Sequence, residues 1–169
     1  SANEPLDDVG THVVVDALRG IEGLKGVFCF GSYAMGSFDA DSDVDLYVLW
    51  HSEIPSSEER RSAFQQIKGV DDLDIGHIEP GWAGEEWFPR CDRFRLQGVL
   101  FDLGHNTEDW LTSAVRKAKK FPKERDGRRY LNVLGLLANS ISLYDPDACL
   151  ADLESQVHPF PPDLKAAMI

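Results

Sequence analysis

The stretch Val27-Phe28-Cys29-Phe30-Gly31-Ser32-Tyr33-Ala34-Met35-Gly36-Ser37-Phe38-Asp39-Ala40-Asp41-Ser42-Asp43-Val44-Asp45-Leu46-Tyr47-Val48-Leu49-Trp50 decides how the rest of the chain is read. Val27 to Phe30 is a short apolar run that predicts a buried strand. It stops at Gly31-Ser32, where the chain must turn and backbone amides become free to face a ligand. A small-residue helical turn can follow and close at Gly36. A second strand is predicted from Asp43-Val44-Asp45 through Trp50. Residues i and i+2 of a strand share a face, so Asp43 and Asp45 project together. Two such carboxylates repel each other, and burying them unpaired is costly. A divalent cation relieves both problems, and hard oxygen ligands select magnesium or manganese.

A wider window sharpens the point. Gly26 to Glu59 holds seven acidic residues (Asp39, Asp41, Asp43, Asp45, Glu53, Glu58 and Glu59) and no Lys or Arg. A triphosphate would be repelled unless it arrived as a metal complex, with Gly31 and Ser32 offering N–H and hydroxyl donors to its oxygens. The lysine of a P-loop is missing, which excludes that class of phosphate site. The order Gly31-Ser32, then Gly36-Ser37, then Ser42-Asp43-Val44-Asp45-Leu46 resembles the signature of the nucleotidyltransferase superfamily, the polymerase-beta-like fold. The elements of that signature are an apolar strand, Gly-Ser, a spacer (here residues 33–42) and Asp-x-Asp flanked by apolar residues. The resemblance implies an α/β (α+β) domain with a mixed central sheet of about four to five strands flanked by helices.

Composition sets the outer bounds. The chain has 169 residues, 43% hydrophobic content and a formal net charge of −12. That suits one domain with a real core. Such acidity disfavours non-specific binding to nucleic acid or anionic membrane and favours cationic small molecules or basic partners. Cys29, Cys91 and Cys149 are odd in number and widely spaced. They lack metal-ligand spacing and point to a reducing, cytoplasmic compartment. No apolar stretch is long enough to span a bilayer.

Around the signature, Leu6, Val9, Val13, Val14, Ala17, Leu18 and Ile21 recur at helical spacing and predict a helix packed on the first strand, with His12 structural or solvated. Ser56-Ser57-Glu58-Glu59 predicts a capped helix to about Lys68, carrying Ala63, Phe64 and Ile67 inward. Leu73 to Glu79 is expected to be a third strand, with Asp74 and His77 on opposite faces. Residues 80–93, with Trp82, Trp87 and Phe88, are expected to be an irregular segment whose aromatics pin it to the body. Gln97 to Gly104 is the expected fourth strand, in which Asp102 interrupts an apolar run. Thr107 is the predicted cap of the next helix, and His105 is given a helix-entry role. A helix over about 128–142, a short strand and turn over 141–147, and a short helix from Ala148 come next. Pro159-Phe160-Pro161-Pro162 reads as a connector. Residues 1–158 are thus taken as the catalytic domain and 159–169 as the start of a C-terminal helical domain that this chain does not include.

What the resemblance implies about chemistry is specific. A nucleoside monophosphate, AMP from ATP, would pass to an acceptor hydroxyl with release of pyrophosphate. Two Mg2+ ions (or Mn2+) would be held by Asp43 and Asp45. Gly31 and Ser32 would bind the triphosphate. In the family a third carboxylate lies on a neighbouring strand in an apolar-acid-apolar triplet. Phe101-Asp102-Leu103 resembles it, so Asp102 is the expected third ligand and proton acceptor, with Asp74 in reserve. Members of this size and motif include enzymes that adenylylate aminoglycoside- or lincosamide-like compounds, so a small-molecule acceptor is expected. Alternatives are an antitoxin-type enzyme modifying a partner protein and a catalytically silent nucleotide-binding module. Nucleic acid and membrane are not expected partners.

Overall fold

Residues 10–30, 43–77, 88–120, 135 and 139–157 are described in a computed structural model of the chain. Helix α1 (Thr11–Arg19) leads into β1 (Leu24–Phe30), and β2 (Val44–Trp50) follows. Next come α2 (Ser57–Gln65), β3 (Val70–Ile75), β4 (Arg90–Leu96) and β5 (Val99–Thr107). Helix α3 (Glu108–Lys120), β6 (Ile141–Tyr144) and α4 (Cys149–Val157) close the described chain. The six described strands form one mixed sheet in the order β3-β4-β5-β2-β1-β6. Among them, only β2 and β5 run parallel to each other. The architecture is therefore α+β as expected, with one or two strands more than the sequence suggests.

Strand periodicity sorts the core. On one face, Val27, Cys29, Val44, Leu46, Val48, Trp50, Phe94, Leu96, Phe101 and Leu103 cluster with Val14, Val15 and Leu18 of α1 and with Phe64 and Ile67 beside α2. The alternate residues Phe28, Tyr47 and Leu49 are also buried, and α3 and α4 pack on β5, β1 and each other. A sheet covered on both faces needs near-continuous apolar runs in its central strands, which is what β1 and β2 contain.

Both expected helix caps form. The Glu59 N–H donates to Ser56 Oγ at 3.2 Å, and the Ser56 hydroxyl lies 3.3 Å from Glu59 Oε1. The Trp110 N–H donates to Thr107 Oγ1 at 3.3 Å. His12 is exposed, as expected.

Three boundaries differ from the sequence reading. Arg90 to Leu96 is a full strand, although residues 80–93 read as irregular. Gln97 and Gly98, read as strand, take φ values of 53° and 81° and make the two-residue turn between β4 and β5. Positive φ at both central positions is the hairpin geometry that matches strand twist. At the end of β3 the chain turns at Gly76 (φ 79°), so Asp74 and His77 do not diverge: Asp74 Oδ2 lies 2.7 Å from His77 Nδ1. Where the expected helix and the expected short strand overlap, at Ile141 and Ser142, the strand forms, as β6. Most of that helix, Trp82, Trp87, Gly31, Ser32, Gly36 and residues 158–169 lie outside the described residues.

Candidate active site

The register of the sheet assembles the site. Phe30 is paired with Asp45, Asp45 with Asp102, Asp102 with Arg93, and Arg93 with Asp74. Directly paired residues share a face, and neighbouring strands are about 4.8 Å apart. A single lateral row therefore runs Phe30–Asp45–Asp102–Arg93–Asp74, with Asp43 two residues before Asp45 on the same face. This row lies opposite the face covered by α1 and α2.

Asp43, Asp45 and Asp102 are thus brought together, whereas Asp74 is not. Asp74 lies two strands beyond Asp102, exposed and engaged by His77. The Asp43 and Asp102 carboxyl groups are within hydrogen-bonding reach of each other. Burial first, then the charge of Asp102 and that of Asp43, push the Asp45 carboxyl up to about 7. Asp43 is raised in the same direction, by burial and by Asp102, with Arg93 opposing. Burial and like charge both disfavour the ionised form of these acids.

Asp102 does have one. Arg93 Nε donates to Asp102 Oδ1 at 2.6 Å and Arg93 Nη2 to Oδ2 at 3.3 Å, with both side chains about a quarter exposed. The sequence reading assigns the counter-charge of Asp102 to metal alone and misses Arg93. A signal is present in the Cys91-Asp92-Arg93-Phe94-Arg95 alternation, where cations recur every second residue. Among the described residues no three His, Cys, Asp or Glu side chains converge closely enough to hold a metal ion as they stand. The donor set nevertheless fits a divalent cation in kind: three carboxylates on adjoining strands, two of them raised by burial and by the charge of their acidic neighbours.

An aromatic floor adjoins the row. Phe30 stacks on Phe88 with centroids 6.1 Å apart, and Phe88 lies 5.3 Å from Tyr47. Gly104, two residues beyond Asp102 on the same face, makes this possible, because a Cβ there would collide with the Phe88 ring. Phe88 is thus buried against the sheet, the pinning role expected for that segment's aromatics. The Asn106 amide donates to the Tyr47 hydroxyl at 3.3 Å, and burial raises the Tyr47 pKa.

The opposite face of β4 and β5 carries a buried polar network. Asp92 accepts from Arg60 Nε at 2.9 Å, Arg60 Nη2 at 3.3 Å and the Gly76 N–H at 3.0 Å. Trp50 Nε1 donates to His105 Nδ1 at 3.0 Å, so the ring proton sits on His105 Nε2, which donates to Asp92 at 2.7 Å. Desolvation pushes His105 below the usual imidazole value, against the pull of Asp92. Burial would raise Asp92, but the hydrogen bonds and charges of His105 and Arg60 prevail and hold it below the usual carboxylate range. His105 is fully buried within β5, so it serves the core and not the entry of α3.

The family comparison agrees with this geometry. Residues 14–81 match the family described as polymerase beta, nucleotidyltransferase. The matched stretch includes Gly31, Ser32, Asp43 and Asp45, while Asp102 and Arg93 lie beyond it. No curated protein matches the chain in sequence. Solved structures of terminal uridylyl transferase 4 from Trypanosoma brucei align over most of the chain. One with bound GTP is 15% identical, with a TM-score of 0.39 over 89% of this chain and 62% of its own. Another, with bound CTP, is 17% identical, with a TM-score of 0.39 over 95% of this chain and 61% of its own. The chain thus spans about three-fifths of the length of these structures. Over residues 14–81, the part that carries Asp43 and Asp45 on one strand face, the chain is thus similar to the polymerase beta nucleotidyltransferase family.

Proposed function

We propose that the protein transfers a nucleoside monophosphate, AMP from ATP, to a hydroxyl group of a small-molecule acceptor. The observation that carries this reading is the register pairing of Asp45 with Asp102 on parallel neighbours, with Asp43 on the same face. Asp43, Asp45 and Asp102 would hold divalent cations, Mg2+ or Mn2+. When bound, these ions supply charge stabilisation to the attacking and leaving oxygens of an in-line displacement.

The chain's own residues do the rest. Gly31 and Ser32 offer backbone and hydroxyl donors to the β- and γ-phosphate oxygens. The acceptor oxygen forms a bond to the α-phosphorus as the α–β bridging bond breaks, and pyrophosphate leaves with the electron pair. Asp102 receives the proton of the acceptor hydroxyl. The acceptor is an aminoglycoside- or lincosamide-like cationic compound, whose charge complements a surface of net charge −12.

Labelled ATP, Mg2+ and a panel of such acceptors test the proposal. Turnover with pyrophosphate release is expected, and both D43N and D45N should abolish it while the thermal melt stays cooperative. Retained turnover in either variant would refute the assignment. Labelling of a protein partner with no labelled small molecule would move the acceptor to the protein class.

A further inference from the structure

We propose that Arg93 is a positioning residue that serves as resident counter-ion of the acidic row and competes with the divalent cation for Asp102. The inference rests on the reading of that row as a cation site, and goes beyond it by naming the residue that sets how tightly the site loads.

The geometry is that of a two-pronged grip. Arg93 stands directly across from Asp102 in the β4–β5 register, and its guanidinium reaches both carboxylate oxygens, at 2.6 and 3.3 Å. A planar fork on a carboxylate is the strongest common ion-pair geometry. Arg93 is also in register with Asp74 on its other side, but the Asp74 carboxylate is engaged by His77 at 2.7 Å. Two bonds of the Arg93 guanidinium run to Asp102, the row's neighbour of Asp45. Arg95, on the same face of β4, is tied to the Gly98 carbonyl at 3.2 Å and lies 3.9 Å from Asp72. Its charge also acts on Asp43, after that of Arg93, but the two-pronged contact with Asp102 is made by Arg93.

Two consequences arise from one charge. Without metal, Arg93 neutralises one of three clustered carboxylates and so relieves the repulsion between β2 and β5 at the site. With metal, a second positive centre must draw on the same oxygens. Cations sharing a carboxylate repel, and the guanidinium must give up at least one prong. As they stand, the three carboxylates do not form a group that could hold a metal ion, and Asp102 is gripped by Arg93. The released fork would then face a region where a triphosphate's negative charge arrives.

The test is a Mn2+ titration of the full chain, followed by electron paramagnetic resonance, together with thermal melts with and without Mn2+. Wild type, R93Q and R93K are compared. R93Q should bind Mn2+ about tenfold more tightly than wild type, since one opposing unit charge and its grip are gone. It should melt lower than wild type without metal, and Mn2+ should recover the difference. R93K keeps the charge without the fork and should bind about two- to threefold more tightly; it decides the matter if R93Q does not fold. A Mn2+ affinity unchanged or weakened in these variants overturns the inference while leaving the cation site standing. A merely structural arginine would give that result. Absence of saturable Mn2+ binding by wild type would remove the cation-site reading itself, and the inference with it.

Discussion

Changing Asp92 to Asn tests the foundation on which the site is built. The substitution keeps the shape of the side chain and removes its charge. Asp92 is 1% exposed and accepts four hydrogen bonds, two at each oxygen. An asparagine has one acceptor oxygen, so in either orientation its amide nitrogen faces two donors that have lost their partner. Each orphaned buried donor costs about 1–3 kcal/mol. Arg60, 2% exposed, also loses its counter-ion. Breaking a buried pair in this way costs about 3–5 kcal/mol. The contributions overlap, so a loss of about 4 kcal/mol is expected, out of a total of about 5–15 kcal/mol for a domain. For a chain of this size that lowers the Tm by roughly 8–16 °C. Urea denaturation followed by circular dichroism measures it, with an unchanged m-value as the check on two-state behaviour. D74N is the control: it touches an exposed pair and should lie within about 0.5 kcal/mol of wild type. A loss below about 1 kcal/mol for D92N would show that the network is not the anchor its geometry implies.

Other expectations concern neighbouring contacts. W50F removes the donor to His105 Nδ1 and should cost about 1–2 kcal/mol beyond its lost volume, read by the same urea melts. His105 and Asp92 both have depressed pKa values in the fold, so their contribution is complete above the unfolded imidazole value. It is lost as pH falls, first below about 6.5 for His105 and then below about 4 for Asp92. Asp45 has the opposite sign: raised to about 7, it favours the metal-free fold at low pH and ceases to do so as pH rises through about 7. D45N should therefore remove the loss of metal-free stability that Asp45 causes as pH rises from about 4 to about 7, and leave the losses at falling pH from His105 and Asp92 intact, as thermal melts across pH would show. G104A forces the Phe88 ring off the sheet and should cost about 1–3 kcal/mol in the same melts.

The part of the fold visible in the sequence is the part where local pattern and tertiary role coincide. Residues 27–30 of β1 and 44–50 of β2 are apolar except at Asp45, with Asp43 just before β2, so the aspartates stand out without any knowledge of their neighbours. Ser56 and Thr107 are legible as caps because the amide each one satisfies lies only three residues further along the chain. Asp102 stands out for a similarly local reason, as one acid in an apolar run, and the register puts it beside Asp45. β4 is hidden because its inward residues are Asp92, Phe94 and Leu96 and its outward ones Cys91, Arg93 and Arg95. Charge on both faces masks the period of two. Asp92 can be inside only because Arg60, 32 positions earlier, and His105, 13 positions later, meet it. Neither separation leaves a trace in a local window. For the same reason Arg60 reads as part of a solvated helix face and His105 as a helix-entry residue.

The two faces of β4 are coupled by a simple constraint. Asp92 and Arg93 are adjacent, so alternation sends one inward to the network and the other outward to Asp102. A slip of one residue between β4 and β5 would exchange them, burying Arg93 and exposing Asp92. An apolar strand of similar volume could give equal stability, since buried ion pairs seldom add to it over well-packed hydrophobic residues. It would not fix the register so firmly, because apolar side chains tolerate repacking. The network instead ties β4 to β5 through His105, to β2 through Trp50 and to α2 through Arg60. Only one register satisfies all its donors and acceptors, and that register sets Arg93 across from Asp102 and Asp102 beside Asp45. The buried charges behind the sheet thereby serve the position of the charges in front of it.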